Sequence, residues 1–449
     1  MNPDRSEGDL NCSPLRQRWR DAIDHADTRR WLEADERYFL HQSLSTPCLD
    51  VLAGCAGSTF TNLRGQAFLD FHGNSIHQVG HANAAVIDAI KRQLDELAFC
   101  PRRYTSVPAI ELAATLARLA PGSLGKVLFA PGGTAAMGIA LKLARLATGR
   151  FKTVSWWDAF HGASLDAISV GGEAVFRRRV GPLLPGAAHV PPPGAILGDG
   201  RRVTAAESAD YAEYVFEREG DVAAFIAEPI RCTTVVVPPA EYWRRIRALC
   251  DRHGALLIFD EIPTGLGRTG RMFACEHFDV TPDILCLGKA LGGGIMPLAA
   301  MVTRPDLDVA KDVALGHYTH EKSPVACAAG SAAIDYIERE GLVARAEKRG
   351  RRLAEMLVDL RDRHAGMGEV RRVGLLLGVE MVDRHDPGRP DEGLAERVLY
   401  GALERRLSFK VSGGNVLTLA PPLTITEDEL DRSVGILDAA LTDAEREAT

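Results

Sequence analysis

The chain has 449 residues, 25% of them charged and 46% hydrophobic, with a net charge of −7. That length exceeds one simple core and calls for two or three structural units. The acidic balance and the lack of a long basic run argue against a nucleic-acid partner, and no apolar run reaches the 18 residues that a membrane-spanning helix needs.

Nine scattered cysteines (12, 48, 55, 100, 232, 250, 275, 286 and 327), with no C-x-x-C spacing, read as reduced packing residues rather than a disulfide framework. The stretch Met1 to Leu10 is polar and acidic and has no signal-peptide core, so the expected location is the cytoplasm. The cluster Arg177-Arg178-Arg179 reads as solvated surface.

In chain order, Arg16 to Glu33 reads as an amphipathic, basic helix in a polar N-terminal arm. Leu49 to Leu69 holds short strand-like pieces around Gly54, Gly57 and Gly65, a small antiparallel unit. Ala85 to Leu97 and Pro108 to Leu119 carry helical periodicity. From Lys126 to Val302 strand and helix alternate, with apolar strands at 127–129, 151–155, 222–227, 256–260 and 284–287, and a helix at 136–148. Such alternation predicts a mostly parallel sheet covered by helices on both faces. Pro182 to Arg202, rich in Pro and Gly, reads as a surface excursion. After Pro324 the pattern changes. Helices Val325 to Glu340 and Val343 to Ala365, a strand Gly374 to Met381, a helix Leu394 to Arg405 and a final strand–helix pair predict a smaller α+β domain. The expected division is 1–70 (arm and antiparallel unit), 71–324 (large domain) and 325–449 (small domain).

Two strand ends carry the chemistry. Asp260 closes one apolar run, and Lys289 follows the next, 29 residues on, before a glycine-rich turn. Ligands of open α/β sheets collect at the carboxyl ends of strands. An acid and an amine delivered there suit pyridoxal phosphate, which needs a lysine for its Schiff base and a carboxylate facing its ring nitrogen. Spacing alone also fits a solvated lysine beside an ordinary turn. The turn Pro131-Gly132-Gly133-Thr134, between a strand and a helix, offers backbone donors to a phosphate. Phe160 in Phe160-His161-Gly162 offers a ring to stack on, and Glu228 ends a further strand.

Taken together, the stretch from Ile258 to Gly270, the run Leu287 to Gly294, the Gly133-Thr134 turn, Phe160-His161-Gly162, Gly80-His81 and Asn415 to Leu423 resemble the class III aminotransferase family, pyridoxal phosphate enzymes of fold type I. The resemblance implies a large domain with a mostly parallel seven-stranded sheet and a smaller α+β domain. It implies Lys289 as the Schiff-base and proton-transferring lysine and Asp260 as partner of the ring nitrogen. Gly133 and Thr134 would lie at the cofactor phosphate, Phe160 and Ile262 on the two ring faces, and His161 and Glu228 beside the cofactor. Thr319, in Gly316 to Pro324, would reach the phosphate of a neighbouring subunit, which makes a homodimer the expected assembly.

The chain also departs from the family pattern. Ala135 and Met137 replace the usual Glu and Asn, Pro263 replaces a usual Gln, and Thr418 stands where many transaminases carry a carboxylate-gripping Arg. Arg102, Arg103, Arg231 and Lys322 are the candidates for holding an anionic substrate. His317, His320 and Glu321 make no complete zinc set, so no metal is expected. The motifs around Pro263, Arg102 to Pro108 and Gly316 to Pro324 resemble a subgroup that eliminates water from hydroxy-aminoethylphosphonate and releases phosphonoacetaldehyde and ammonia. That lyase reaction is the preferred expectation. The alternatives are an ω-amine:pyruvate transaminase, a phosphoethanolamine phospholyase, and a catalytically silent protein, the last opposed by the intact Lys289 and Asp260.

Overall fold

The computed structural model describes residues 13–447 apart from 44, 45, 47 and 199; Cys12 and the Met1 to Leu10 stretch lie outside them. The eight described cysteines are all free thiols. The chain forms two compact units, one of residues 83–232 and 236–344, the other of residues 1–82, 233–235 and 345–449.

The first unit is built on a seven-stranded sheet. Its strands lie in the order Lys126–Ala130, Ala299–Thr303, Ile284–Leu287, Leu256–Asp260, Val222–Ala227, Lys152–Trp156 and Ala187–Val190. Ala299–Thr303 pairs antiparallel with both neighbours, and the remaining ladders are parallel. Six strands therefore present their carboxyl ends at one edge. The central strands Val222–Ala227, Leu256–Asp260 and Ile284–Leu287 are buried throughout, as a parallel sheet covered on both faces requires. The sheet's edge strand, Ala187–Val190, falls inside the expected surface excursion of Pro182 to Arg202. Four residues between prolines and glycines are too short a run to register as an apolar period.

Helix Gly133–Thr148 crosses the sheet with Met137, Ile139, Ala140, Leu143 and Ala144 buried, and ends at Gly149 with a left-handed φ of 66°. Helix Pro324–Arg339 starts from Ser323, whose side chain accepts from Ala326 N–H, with proline in the first turn. It packs on Ala84–Glu96 and Val107–Leu119. A Cβ at its Gly330 would meet Leu112 Cδ2 at 2.9 Å and the Leu291 carbonyl at 3.0 Å, so only glycine allows the approach. This packing keeps the helix with the first unit, although the sequence pattern groups it with the C-terminal domain.

The second unit joins the N-terminal segment to the C-terminal third. Its antiparallel strands Leu52–Ala56, Thr59–Asn62 and Ala67–Asp70 form the expected small sheet, which is completed by Leu407–Ser408 pairing parallel with Leu69 and Asp70. That long-range strand pair ties the small sheet of residues 52–70 to the C-terminal third, so this sheet is not a separate body. A second sheet contains Met367–Val373, Leu376–Asp383, Val416–Leu419 and Lys410–Ser412. The single helix expected from Arg16 to Glu33 is two, Pro14–Asp21 and Ala26–Tyr38. The break falls at His25, which is extended and accepts Thr28 N–H at 3.2 Å, capping the second helix.

Within this unit Asp70, His77 and His81 place their ligating atoms within 4.8 Å of one another, a cluster the sequence reading did not anticipate. Hydrogen bonds account for it. His81 Nε2 lies 2.8 Å from Asp70 Oδ2, His77 Nε2 lies 3.1 Å from the Asp70 carbonyl, and Asp70 Oδ1 accepts from the N–H groups of His72 and Gly73. Burial alone would push Asp70 up, but the His81 bond and His77 hold it well below the usual carboxylate range. Among the described residues, no helix is long and apolar enough to cross a membrane.

Candidate active site

Four loops leave the carboxyl ends of strands in the first unit and meet around Asp260 and Ile262. Asp260 is the last residue of Leu256–Asp260, only 2% exposed. Its Oδ1 accepts the Ile262 N–H at 3.1 Å, which tightens the turn. Its Oδ2 lies 2.8 Å from His161 Nδ1. A carboxylate only accepts, so His161 carries its proton on Nδ1. His161 Nε2 is buried with no hydrogen-bond partner in the protein.

Glycines report how the loops close on each other. A Cβ at Gly133 would stand 2.9 Å from Ile262 Cδ1, and one at Gly288 would stand 3.2 Å from Ile262 Cγ2. The Ile262 side chain therefore lies against both the turn before helix Gly133–Thr148 and the residue before Lys289. A Cβ at Gly162, where φ is 126°, would meet Thr134 Oγ1 at 2.1 Å, so the Phe160-His161-Gly162 loop lies against the same helix start. The structure thus brings Gly133, Thr134, His161, Asp260, Ile262 and the Gly288-Lys289 peptide into one contiguous site.

Lys289 opens a 3₁₀ turn, Lys289–Gly292, directly after strand Ile284–Leu287. Its backbone is left-handed (φ 47°), a conformation that a side-chain-bearing residue adopts at a cost and that clusters at functional sites. It is half-buried and makes no ion pair among the described residues. Phe160 is half-buried, its ring 4.4 Å from that of Phe176 at 37°. Phe176, Gly162 and Gly288 are contributors the sequence reading missed. The two glycines had a signal, each adjoining a candidate residue, whereas Phe176 had none.

Glu228 is buried and accepts Cys232 N–H at 2.9 Å; burial first, then the neighbouring Asp260 charge, pushes its carboxyl up. Arg102 and Arg103 line an exposed cavity of about 480 Å³ with His317 and Thr319. Arg231 is buried, with Nη2 3.9 Å from Glu173 Oε1. Lys322 is half-buried one residue beyond Glu321.

These residues fit a phosphorylated pyridine. Helix Gly133–Thr148 has 16 residues and an N-cap, Gly132, without a side chain to satisfy its first N–H groups. An uncapped helix start of that kind suits a phosphate. The buried Asp260 carboxylate, already oriented by two donors, suits a cationic ring nitrogen. The Ile262 side chain and the half-buried Phe160 offer apolar surface to a flat ring.

Residues 45–441 match the family profile of aminotransferase class-III. The chain is 45% identical, over 97% of its length and 95% of the relative's, to an (R)-1-hydroxy-2-aminoethylphosphonate ammonia-lyase of Vibrio splendidus. It is 38% identical, over 84% of its length and 90% of the relative's, to an acetylornithine aminotransferase of Methanopyrus kandleri. Among solved structures, an amine transaminase from an uncultivated Pseudomonas species in its PLP-bound form superposes with a TM-score of 0.84 at 34% identity, covering 91% of this chain and 99% of that one. A Bacillus anthracis aminotransferase gives 0.86 at 29%, covering 94% and 100%. The chain belongs to the class III aminotransferase family and is a pyridoxal phosphate-dependent enzyme of fold type I.

Proposed function

We propose that the protein is an ammonia-lyase that converts (R)-1-hydroxy-2-aminoethylphosphonate to phosphonoacetaldehyde and ammonia. Pyridoxal phosphate, when bound, carries the substrate's amine and withdraws the electron pair left when the adjacent carbon loses a proton. The Lys289 amine tethers the cofactor and then takes that proton. Asp260, oriented by His161, holds the positive charge on the ring nitrogen, and the first turn of helix Gly133–Thr148 with Thr134 holds the phosphate. The hydroxyl on the phosphonate-bearing carbon would leave as water with the proton that Lys289 took, and the enamine so formed would add water to give the aldehyde and ammonia. Thr319 contributes to the site of a second copy, so the working form is a homodimer.

The observation that carries the choice of elimination over amino transfer is at Thr418. This residue occupies the position of the carboxylate-gripping Arg of many family transaminases, and it is 5% exposed. Its hydroxyl is hydrogen-bonded to the Thr233 carbonyl and lies 2.9 Å from Ser412 Oγ. The position offers no cation to a keto acid. The 45% identity to the Vibrio splendidus lyase over nearly the whole chain supports the same choice. A transaminase is the second reading, supported by the similarity to acetylornithine aminotransferase and to the amine transaminase structures.

Incubating the holoenzyme with the hydroxylated aminophosphonate or with phosphoethanolamine, without keto acid, separates these readings. Ammonia and phosphonoacetaldehyde from the first substrate are expected. Phosphate release from the second marks a phospholyase, and turnover only with added pyruvate marks a transaminase. Light scattering of the holoenzyme tests the dimer.

A further inference from the structure

The cavity at residues 99–104 and 317–319 has a composition that the cofactor chemistry leaves unexplained. Two loops build it, and two contacts hold them together. The Phe99 ring meets His320 edge-on at 5.4 Å between centroids, and Arg102 Nη1 lies 3.8 Å from Glu321 Oε2. Its volume, about 480 Å³, is in the range of small-molecule pockets. Its polar lining consists of Arg102, Arg103, Tyr104, His317 and Thr319, without a carboxylate.

Glu321, the acid nearest Arg102, also accepts the Tyr318 N–H at 3.3 Å, and Arg103 makes no ion pair among the described residues. All five side chains can donate, and two are permanent cations on adjacent residues. A planar carboxylate is satisfied by one guanidinium fork, whereas a tetrahedral dianion presents three oxygens and two charges and engages several donors from different directions. The surplus of donors and charge matches the dianion.

We propose that Arg102 and Arg103, with His317 and Tyr104, form a binding site for a tetrahedral dianion, occupied in turnover by the phosphonate of the substrate held in the second copy's site, to which Thr319 of the same lining contributes. This assignment rests on the lyase reading for the identity of the substrate but not for the chemistry of the site. The same chemistry could also come from a cofactor phosphate, so the test separates the two sources.

Holoenzymes of the wild type, Arg102→Gln and Arg103→Gln are compared in two assays. In ammonia release, each variant is expected to raise KM about tenfold or more, the effect of losing a charge-assisted hydrogen bond, with kcat within about twofold. In calorimetry, 2-aminoethylphosphonate, which lacks the hydroxyl and cannot eliminate water, should bind the variants about tenfold more weakly, while β-alanine shifts by less than about twofold. An unchanged affinity for 2-aminoethylphosphonate overturns the proposal. So does a loss of cofactor affinity with KM unchanged, which assigns the patch to a cofactor phosphate. If the wild type releases no ammonia, the lyase reading fails and calorimetry alone decides the site.

Discussion

Replacing Gly162 with alanine tests whether the contact between the Phe160-His161-Gly162 loop and the helix start shapes the phosphate site. The added Cβ would lie 2.1 Å from Thr134 Oγ1, 2.9 Å from Thr134 Cβ and 3.0 Å from Thr134 Cα. Rotating the threonine removes only the first overlap, so the two loops must separate. Alanine at a φ of 126° adds backbone strain of about 1–3 kcal/mol, and forced overpacking adds about 1–3 kcal/mol more. A displacement of Thr134 of about 1 Å takes the first helical N–H groups out of hydrogen-bond range of a fixed phosphate. We expect cofactor affinity to fall at least about thirtyfold, equivalent to about 2 kcal/mol, measured by titrating apoenzyme with pyridoxal phosphate and following its absorbance. Gly132→Ala is the matched control. Its φ of −179° is extended backbone, and a Cβ there meets nothing within 4 Å. That change should cost under about 1 kcal/mol. Wild-type affinity in Gly162→Ala, or an equal loss in Gly132→Ala, would refute the reasoning.

Lys289→Ala should lower ammonia release by at least about a thousandfold, as expected for loss of a positioned proton carrier; retention of a tenth of the wild-type rate would remove its assignment. Asp260→Asn removes the negative charge but keeps an oxygen for the Ile262 N–H, so the fold should hold while kcat drops about a hundredfold or more. An unchanged melting temperature with that kcat is the result to look for. Glu261 is fully buried, and desolvation raises its carboxyl to about 7 despite accepting the Ala274 and Cys275 N–H groups at 2.5 and 2.8 Å. A group raised in the folded state contributes stability below its unfolded value of 4.5 and loses it as pH rises through about 7. Denaturant unfolding of the wild type should therefore lose up to roughly 3 kcal/mol between pH 5 and 8 from this group. Glu261→Gln should lack that component, and identical pH dependence in both proteins would count against it.

The sequence was most legible where chemistry and strand ends coincide. Asp260, Lys289 and the Gly133-Thr134 turn each follow a short apolar run, and the parallel sheet places those run ends side by side. The alternation of residues 126–302 implied a mostly parallel sheet and marked five of its seven strands, without Ala187–Val190 and Ala299–Thr303. Two features were not legible because they depend on contacts far along the chain. The pairing of Leu407–Ser408 with Leu69–Asp70 joins the N-terminal segment to the C-terminal third, and no local pattern in either segment signals the other. Likewise Gly330 sets helix Pro324–Arg339 against Leu112 and Leu291, although the change in pattern at Pro324 suggested a boundary. Among the substrate candidates, counting arginines did not separate Arg231, buried beside Glu173, from Arg102 and Arg103 at the exposed cavity.

The proposed reaction also gives the departures from the family pattern a physical sense. In that proposal, proton removal by Lys289 and charge balance by Asp260 would serve elimination and amino transfer alike, which leaves discrimination to the residues that hold anions. A transaminase works in two halves, and in the second it has to grip a keto acid. A lyase finishes when ammonia leaves, and a second grip confers no advantage. Thr418, hydrogen-bonded to Thr233 and Ser412, is compatible with the second case: an arginine there would leave its guanidinium in a position that is now 5% exposed, where an unpaired charge is costly. Thr418→Arg should therefore destabilise the protein rather than convert it into a transaminase. A stable variant that acquires pyruvate-dependent turnover would show that the missing arginine, and nothing else, separates the two reactions.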